Sequence, residues 1–518
     1  MNAGSRPTRA EWFAACAAGI GAAIVGLVQL RGGIVHLLDT VTYWSGAEQV
    51  AHGHLFSTRL APSFSNFDAI DFLGRGGRLP FVDFPVGYPL MAGLAGALIG
   101  VRHGMGLIVV LSLFVIAASV VLGDRSAVGR TKSSGARQLA FAAAMGMAMV
   151  VLPTTRLVTQ GALSEPIFTA AVFALVLALA RYREGGRWAW VAVFTFLASL
   201  LRFIGAPLAL LGGWERYQRT RDPWRSAAWT LALITPAAIN IGAASMAGGG
   251  HRAGWRGLQR VDADVFVRSV GGWFDHRQGD LRRTYFTGEG PQWWSWLVAV
   301  AWIALLVVAM VQLVRRRRFM TPVAHLALCA AAIITAGLVA GLLGFDALVI
   351  PDNRLMLPGG LLTIAALFWS RPRVTKLRRL VPVLAIAWVL LAVHPTSIGE
   401  RFSDDSARKA FSDVAEASGA RIIVSNDADA VHWDTGLAAV YAPTALKVLT
   451  GEVVDVEDLY RRLPCALLEN DGVVVLSDTV TFSSVDYDLL DLAVVEGALT
   501  KESPTGAIVY RPTADACR

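Results

Sequence analysis

Residues 12–57 read WFAACAAGIGAAIVGLVQLRGGIVHLLDTVTYWSGAEQVAHGHLFS. Residues 12–30 carry no charge and are long enough to cross a hydrocarbon core of about 30 Å. Arg6 and Arg9 precede the run, which places the N-terminus on the cytoplasmic side. A cleaved signal peptide is the rival reading. It is disfavoured by the long apolar core and by the lack of a polar mature start behind a small-residue cleavage site. Polar residues then follow. Asp39 stands eight residues after Arg31, where the first span leaves the membrane. Asp39, Tyr43 and Ala47 recur at i, i+4, so the carboxylate and the phenol share one helix face.

The rest of the chain fits a membrane setting. Of 518 residues, 54% are hydrophobic and 17% charged, with a mean hydropathy of +0.51. Soluble domains carry about 25% charged residues, so a plain cytosolic enzyme, a disordered chain and a fibrous repeat are excluded. The net charge of +8 divides unevenly. Residues 395–518 hold 10 Lys+Arg against 21 Asp+Glu, a balance of −11. The remainder is strongly basic, as membrane loops are, and no basic stripe with interleaved aromatics points to nucleic acid.

Further apolar runs lie at 105–123, 138–153, 166–181, 188–201, 203–214, 227–247, 294–314, 322–343, 355–370 and 380–394. Residues 188–214 read as two tilted or broken helices around Arg202. Basic clusters at 124–137, 181–187, 215–225, 315–318 and 371–379 all fall inside if the segment 85–101 lies along the interface rather than crossing. The expected architecture is a polytopic α-helical membrane protein of about 11 spans, with residues 1–394 as its transmembrane domain. The outer loops are 32–104, 154–165, 248–293 and 344–354, and the tail from 395 is extracytoplasmic.

In that tail, ARIIVSND and DGVVVLSD read as buried strands ending in polar turns, and SARKAFSDVAEASG as an amphipathic helix closed by Gly419. A small C-terminal α/β domain over 395–518 follows. Cys16 and Cys329 sit in apolar runs as packing residues. Cys465 and Cys517 form a disulfide if the tail is outside, or remain two free thiols; spacing does not choose.

Chemistry concentrates at the outer membrane edge. A partly desolvated carboxylate there suits a general base, which makes Asp39 the candidate, with a helix N-cap as the plain alternative. Asp68, Asp71 and Asp83 read as solvated loop residues, with Asp83 as the exception. Tyr88 stands between Pro85 and Pro89 in a rigid turn. Arg156 and Glu165 end one short loop, and Asp352 and Arg354 open a late span. Arg202 interrupts an apolar run. Arginine in such a place faces a polar cavity, a phosphate, or an internal partner such as Glu165.

The order of these pieces resembles the C-type glycosyltransferase (GT-C) superfamily, in its polyprenyl-phosphate-sugar branch of the protein mannosyltransferase and lipid A aminoarabinose transferase type. The resemblance rests on Asp39, Tyr43, Ala47 and Gly53, on PVGYPLMAGLAGALIG, GALSEPIFTAAVFALVLAL, LASLLRFIGAPLAL and DNRLMLPGGLLTIAALF, and on SNDADAVHWDTGLAAVYAP. It implies that Asp39 is the general base on the acceptor hydroxyl. It implies that Tyr43, Asp83, Tyr88, Glu165, Arg202, Asp352 and Arg354 serve substrate binding, the arginines holding the donor phosphate. A hexose or pentose would pass with inversion from a polyprenyl-phosphate carrier in the bilayer to an envelope glycan, lipid or protein acceptor outside. Many relatives have two adjacent acidic residues after the first span, whereas Thr40 follows Asp39 here. No cofactor is therefore expected, and a divalent metal is the less favoured option. The rivals are a flippase of lipid-linked glycans, which would show inverted repeats and mid-span charges, and a non-catalytic envelope assembly protein.

Overall fold

The computed structural model describes residues 7–35, 38–61, 70, 73–74, 76–81, 84–128, 135–247, 321–344, 353–370, 405–442, 456–477, 487–504 and 507–517. In chain order α1 (Arg9–Leu30) and α2 (Leu38–Ala51) come first. Three short strands follow, β1 (Ser57–Thr58), β2 (Leu60–Ala61) and β3 (Leu79–Pro80). Next are α3 (Gly87–Ile99), α4 (Val101–Val128), α5 (Ala136–Val150), α6 (Pro153–Gln160), α7 (Glu165–Arg183) and α8 (Trp188–Leu201). The helical run ends with α9 (Leu208–Thr220), α10 (Pro223–Ala247), α11 (Pro322–Gly344) and α12 (Asn353–Ser370). The tail holds α13 (Asp405–Ala417), β4 (Ile422–Ser425), α14 (Ala428–Thr435), β5 (Ala438–Tyr441), α15 (Val456–Glu469), β6 (Gly472–Ser477), α16 (Tyr487–Val495), β7 (Leu499–Glu502) and β8 (Ala507–Pro512).

These elements form two compact units. The first comprises Met1–Ile34, Met105–Asn240 and Leu258–Thr396. Its opening helix starts on a capping box. The Thr8 hydroxyl accepts from the Glu11 N–H at 3.3 Å, and the Glu11 carboxylate accepts from the Thr8 N–H at 2.7 Å. α1 packs on α5, and α7 packs against α8, α11 and α12. Trp369 of α12 is fully buried and donates its indole N–H to the Val120 carbonyl at 3.0 Å. Its ring fills the space a Cβ would take at Gly123, so glycine is what lets helix and indole meet.

Among the described residues, Arg9–Leu30, Val101–Asp124 and Glu165–Arg183 are long and apolar enough to cross a membrane, and five further apolar helices are shorter. The runs 294–314 and 380–394 lie outside the described residues. The break at Arg202 is present: α8 ends at Leu201, Arg202 is extended (φ −151°, ψ 141°), and a 3₁₀ turn Phe203–Gly205 precedes α9. One expected loop is different. Residues 154–165 contain most of α6, a helix begun by Pro153 whose two turns are too polar to register as an apolar run.

The second unit comprises Val35–Gly104, Ile241–Gly257 and Ser397–Arg518. It holds a six-stranded sheet in the order β2-β5-β4-β6-β8-β7. β2, β5, β4 and β6 are parallel, and β8 and β7 are antiparallel additions. The strands read from ARIIVSND and DGVVVLSD are β4 and β6, buried along their whole length as central parallel strands are. α13 ends before Gly419, whose φ of +70° is costly for any side chain. Cys465 and Cys517 are joined by a disulfide across a Cα–Cα distance of 4.5 Å.

Hydropathy divides the chain at 394/395, but packing draws another line. The loop after α1 supplies the edge strand β2, in register Leu60↔Ala439 and Ala61↔Val440. It also supplies Ile70 and Leu73 to the core shared with Ile422, Val424, Leu463 and Val474. β5 would otherwise expose an unpaired parallel edge, and two residues of strand suffice to cover it.

Candidate functional site

In the second unit, Asp39 occupies the first turn of α2 and is half-buried. An acidic side chain there is favoured by the helix dipole, so the N-cap alternative is replaced by a position just inside the helix. One turn on, the Tyr43 ring packs on Phe84 (4.8 Å between centroids) and edge-on against Tyr88 (5.1 Å). Both tyrosines are buried. The structure thus brings Tyr43 and Tyr88 together as an aromatic cluster on the face of α2 that also carries Asp39. Asp68, Asp71, Asp83 and Asp352 lie outside the described residues.

α2 packs on α14. The local sequence SNDADAVHWDTG explains why α14 forms. Asn426 exchanges two hydrogen bonds with the Ser477 backbone (2.8 and 2.9 Å), tying the end of β4 to β6. Asp427 caps α14 by accepting from the Ala430 N–H at 3.2 Å, and Gly436 ends it at φ +70°. Asp429 and His432, at i and i+3, are both buried.

These two residues, with Tyr441 and Ser45, are the part of the site that sequence reading missed. Burial pushes the Asp429 carboxyl well above the usual carboxylate range. A hydrogen bond from Tyr441 opposes that shift, and the charges of Asp427 and Asp39 reinforce it. The Asp429 carboxyl therefore holds its proton more tightly than an exposed carboxyl would. Its Oδ1 has no hydrogen-bond partner among the described residues. Tyr441 is raised by the same burial.

Burial lowers His432 from 6.5 to about 4, partly offset by its bond to Leu437 and helped by Arg59, so the ring is neutral. Nδ1 lies 2.6 Å from the Leu437 carbonyl, which can only accept, so Nδ1 carries the hydrogen. Nε2 must then accept, and the Ser45 hydroxyl, 2.8 Å away, donates to it. Ser45 in turn accepts from the Arg59 N–H at 3.3 Å and meets the Thr58 hydroxyl at 2.8 Å.

A pH dependence follows. Between pH 6.5 and about 4 the unfolded chain takes up a proton on His432 that the folded chain refuses. Stability of this unit is then lost as pH falls through that window, by about 3 kcal/mol in total. Asp429 works in the opposite sense: unfolding ionises it, so its contribution is lost as pH rises from the ordinary carboxylate range through its raised pKa. In the parent the two slopes oppose each other between pH 4 and 6.5, so the His432 limb is read in Asp429→Asn, whose melting temperature should fall as pH falls through that window. An acid limb absent from Asp429→Asn between pH 6.5 and 4 would show that the ring is charged in the fold.

In the first unit, Arg202 and Glu165 meet. Arg202 Nη1 lies 2.8 Å from Glu165 Oε1 and donates to Ser164 Oγ at 2.9 Å. Glu165 is buried as the first residue of α7, and the Arg202 side chain is 15% exposed. Glu165 Oε2 has no hydrogen-bond partner among the described residues. The internal partner considered for Arg202 is thus real, and a second polar group remains beside it. Arg354 is half-buried in the first turn of α12, a helix that packs on α7, and Arg156 is half-buried in α6.

No family model matches the sequence, and no curated protein matches it. Solved structures do match. The arabinofuranosyltransferase AftD from Mycobacteria shares 15% identity at a TM-score of 0.54, covering 100% of this chain and 41% of AftD. The Archaeoglobus fulgidus oligosaccharyltransferase shares 13% identity at 0.49, covering 96% of this chain and 73% of its own. ArnT from Cupriavidus metallidurans shares 14% identity at 0.44, covering 96% and 98%. At these identities the likeness is one of fold. Over its whole length this chain shares the fold of the part of AftD that it covers, and it spans less than half of AftD.

Proposed function

We propose that this chain is an integral membrane glycosyltransferase. It moves a sugar from a polyprenyl-phosphate carrier to an envelope glycan, lipid or protein acceptor. The observation that carries this reading is the likeness of the whole chain to an arabinofuranosyltransferase, with Asp39 standing half-buried at the start of the helix after the first apolar span. In this reading Asp39 takes the proton from the acceptor hydroxyl as that oxygen attacks the anomeric carbon, inverting it. The leaving group is a phosphate monoester, which needs charge stabilisation more than protonation, and Arg202 and Arg354 supply it. No metal is needed for either step. Reaction takes place on the extracytoplasmic face, with the N-terminus inside and the tail outside. The Cys465–Cys517 disulfide supports that side for the tail, because such bonds persist in oxidising compartments.

The test is direct. Purified chain is given a panel of farnesyl-phosphate monosaccharides, arabinofuranose and mannose first, and release of farnesyl phosphate is measured with and without an envelope glycan fraction. Glycan-dependent release from one donor is expected. Binding without release from any donor would favour a flippase, and neither binding nor release would favour an assembly protein.

A further inference from the structure

We propose that His432 is a positioning residue for Asp39, acting through Ser45 on the helix that carries the carboxylate. This rests on the reading of Asp39 as the base. His432 and Ser45 are 387 residues apart in sequence, and both are buried. Their hydrogen bond is a directional contact between α2 and α14. The packing around it is broad: Trp44 lies against the His432 ring at 5.2 Å and against Trp433 at 5.2 Å. Arg102 donates to the Trp433 carbonyl at 2.6 Å, and its guanidinium sits 4.2 Å from that indole ring. Ring packing of this kind holds two helices together but tolerates rotation. A hydrogen bond does not. Each residue of slip turns a helix by about 100°, which would carry Ser45 away from Nε2 and swing the carboxylate six residues earlier to another face.

The chain of bonds has one polarity. The Leu437 carbonyl fixes the hydrogen on Nδ1, Nε2 accepts from Ser45, and Ser45 accepts from the Arg59 backbone beside β2. The tail thus fixes both the helix that bears Asp39 and the strand that follows it. Its role is to complete the catalytic unit, in addition to any contact it makes with an acceptor.

The test uses the full chain and the farnesyl-phosphate sugar that it turns over fastest. Ser45→Ala removes the donor. His432→Asn keeps an N–H for Leu437 but loses the acceptor, and His432→Gln restores an acceptor oxygen toward Ser45. The expected result is a fall in kcat of about 10- to 10²-fold for Ser45→Ala and for His432→Asn, with donor KM within about threefold. The double variant should be no worse than the poorer single one, because both remove the same bond. His432→Gln should recover kcat to within about threefold of the parent, a rescue that a merely structural loss would not show. Amide exchange over residues 38–45 should rise in Ser45→Ala and His432→Asn. Where His432→Asn does not fold, Ser45→Ala, which removes a single oxygen, carries the test. Folded Ser45→Ala with unchanged kcat and unchanged exchange would overturn the proposal. If no donor of the panel is turned over, the exchange result decides alone. Asp39→Asn separates the two readings: full turnover there removes the base itself, whereas an inactive Asp39→Asn beside an unaffected Ser45→Ala removes only the positioning role.

Discussion

Asp39→Asn is expected to lower turnover by about 10²-fold or more while leaving membrane insertion and melting temperature close to those of the parent. The amide has the size of the carboxylate and keeps most of its hydrogen bonding, and the site is only half-buried, so no cavity opens. What disappears is the lone pair that accepts the proton. The variant also removes one of the charges that raise the Asp429 carboxyl, so the stability that Asp429 loses with rising pH should be smaller and end at lower pH in the same protein. Rates on the farnesyl-phosphate donor and melting curves across pH read the two effects separately. Near-normal transfer would sink the assignment. The role would then pass to Asp83 rather than to Glu165, whose carboxylate is already paired with Arg202.

The second large effect is at that pair. Arg202→Gln is expected to act twice. It leaves Glu165 buried without its counter-charge, which costs about 3–5 kcal/mol of stability where a buried pair loses one member. It also weakens donor binding by about 1.5–3 kcal/mol, the range for a hydrogen bond to a charged group. The double variant Glu165→Gln, Arg202→Gln separates these. Without the orphaned carboxylate it should regain most of the lost melting temperature, yet its affinity for farnesyl phosphate should stay low. If affinity returns together with stability, Arg202 is structural only and the phosphate falls to Arg354. Arg202→Lys should not be silent either, because an ammonium supplies the charge but loses the planar two-point fit of a guanidinium to a phosphate.

The apolar helices among the described residues, the break at Arg202 and the two central strands were legible in sequence because each is a local pattern: hydropathy, a lone charge, a β-branched run closed by polar residues. Asp39 on a helix face was legible for the same reason. The aromatic cluster was half legible. The i, i+4 spacing placed Tyr43 with Asp39, but that its ring meets Tyr88 depends on α2 lying along α3. The partnership of the first loop with the tail left no trace. β2 is two residues long, below any periodicity, and its partner is hundreds of residues away. His432 and Asp429 sit in a helix of eight residues whose neighbours read as a turn. Their burial comes from α2 packing over them, which no window along the chain contains.

The pairing of Leu60 with Ala439 also sets a schedule for making the protein. At about 5–20 residues per second, the loop after α1 is synthesised tens of seconds before its strand partner exists. During that interval β2, Ile70 and Leu73 have no sheet and no core to join, while the helices between them are being inserted. The helix that carries Asp39 is therefore unlatched until His432 and β5 have been made, and a chain ending before them would carry Asp39 but never seat it. A nascent chain of this design leaves its first loop in need of shelter from proteases and from stray strand pairing for as long as the ribosome takes to reach β5.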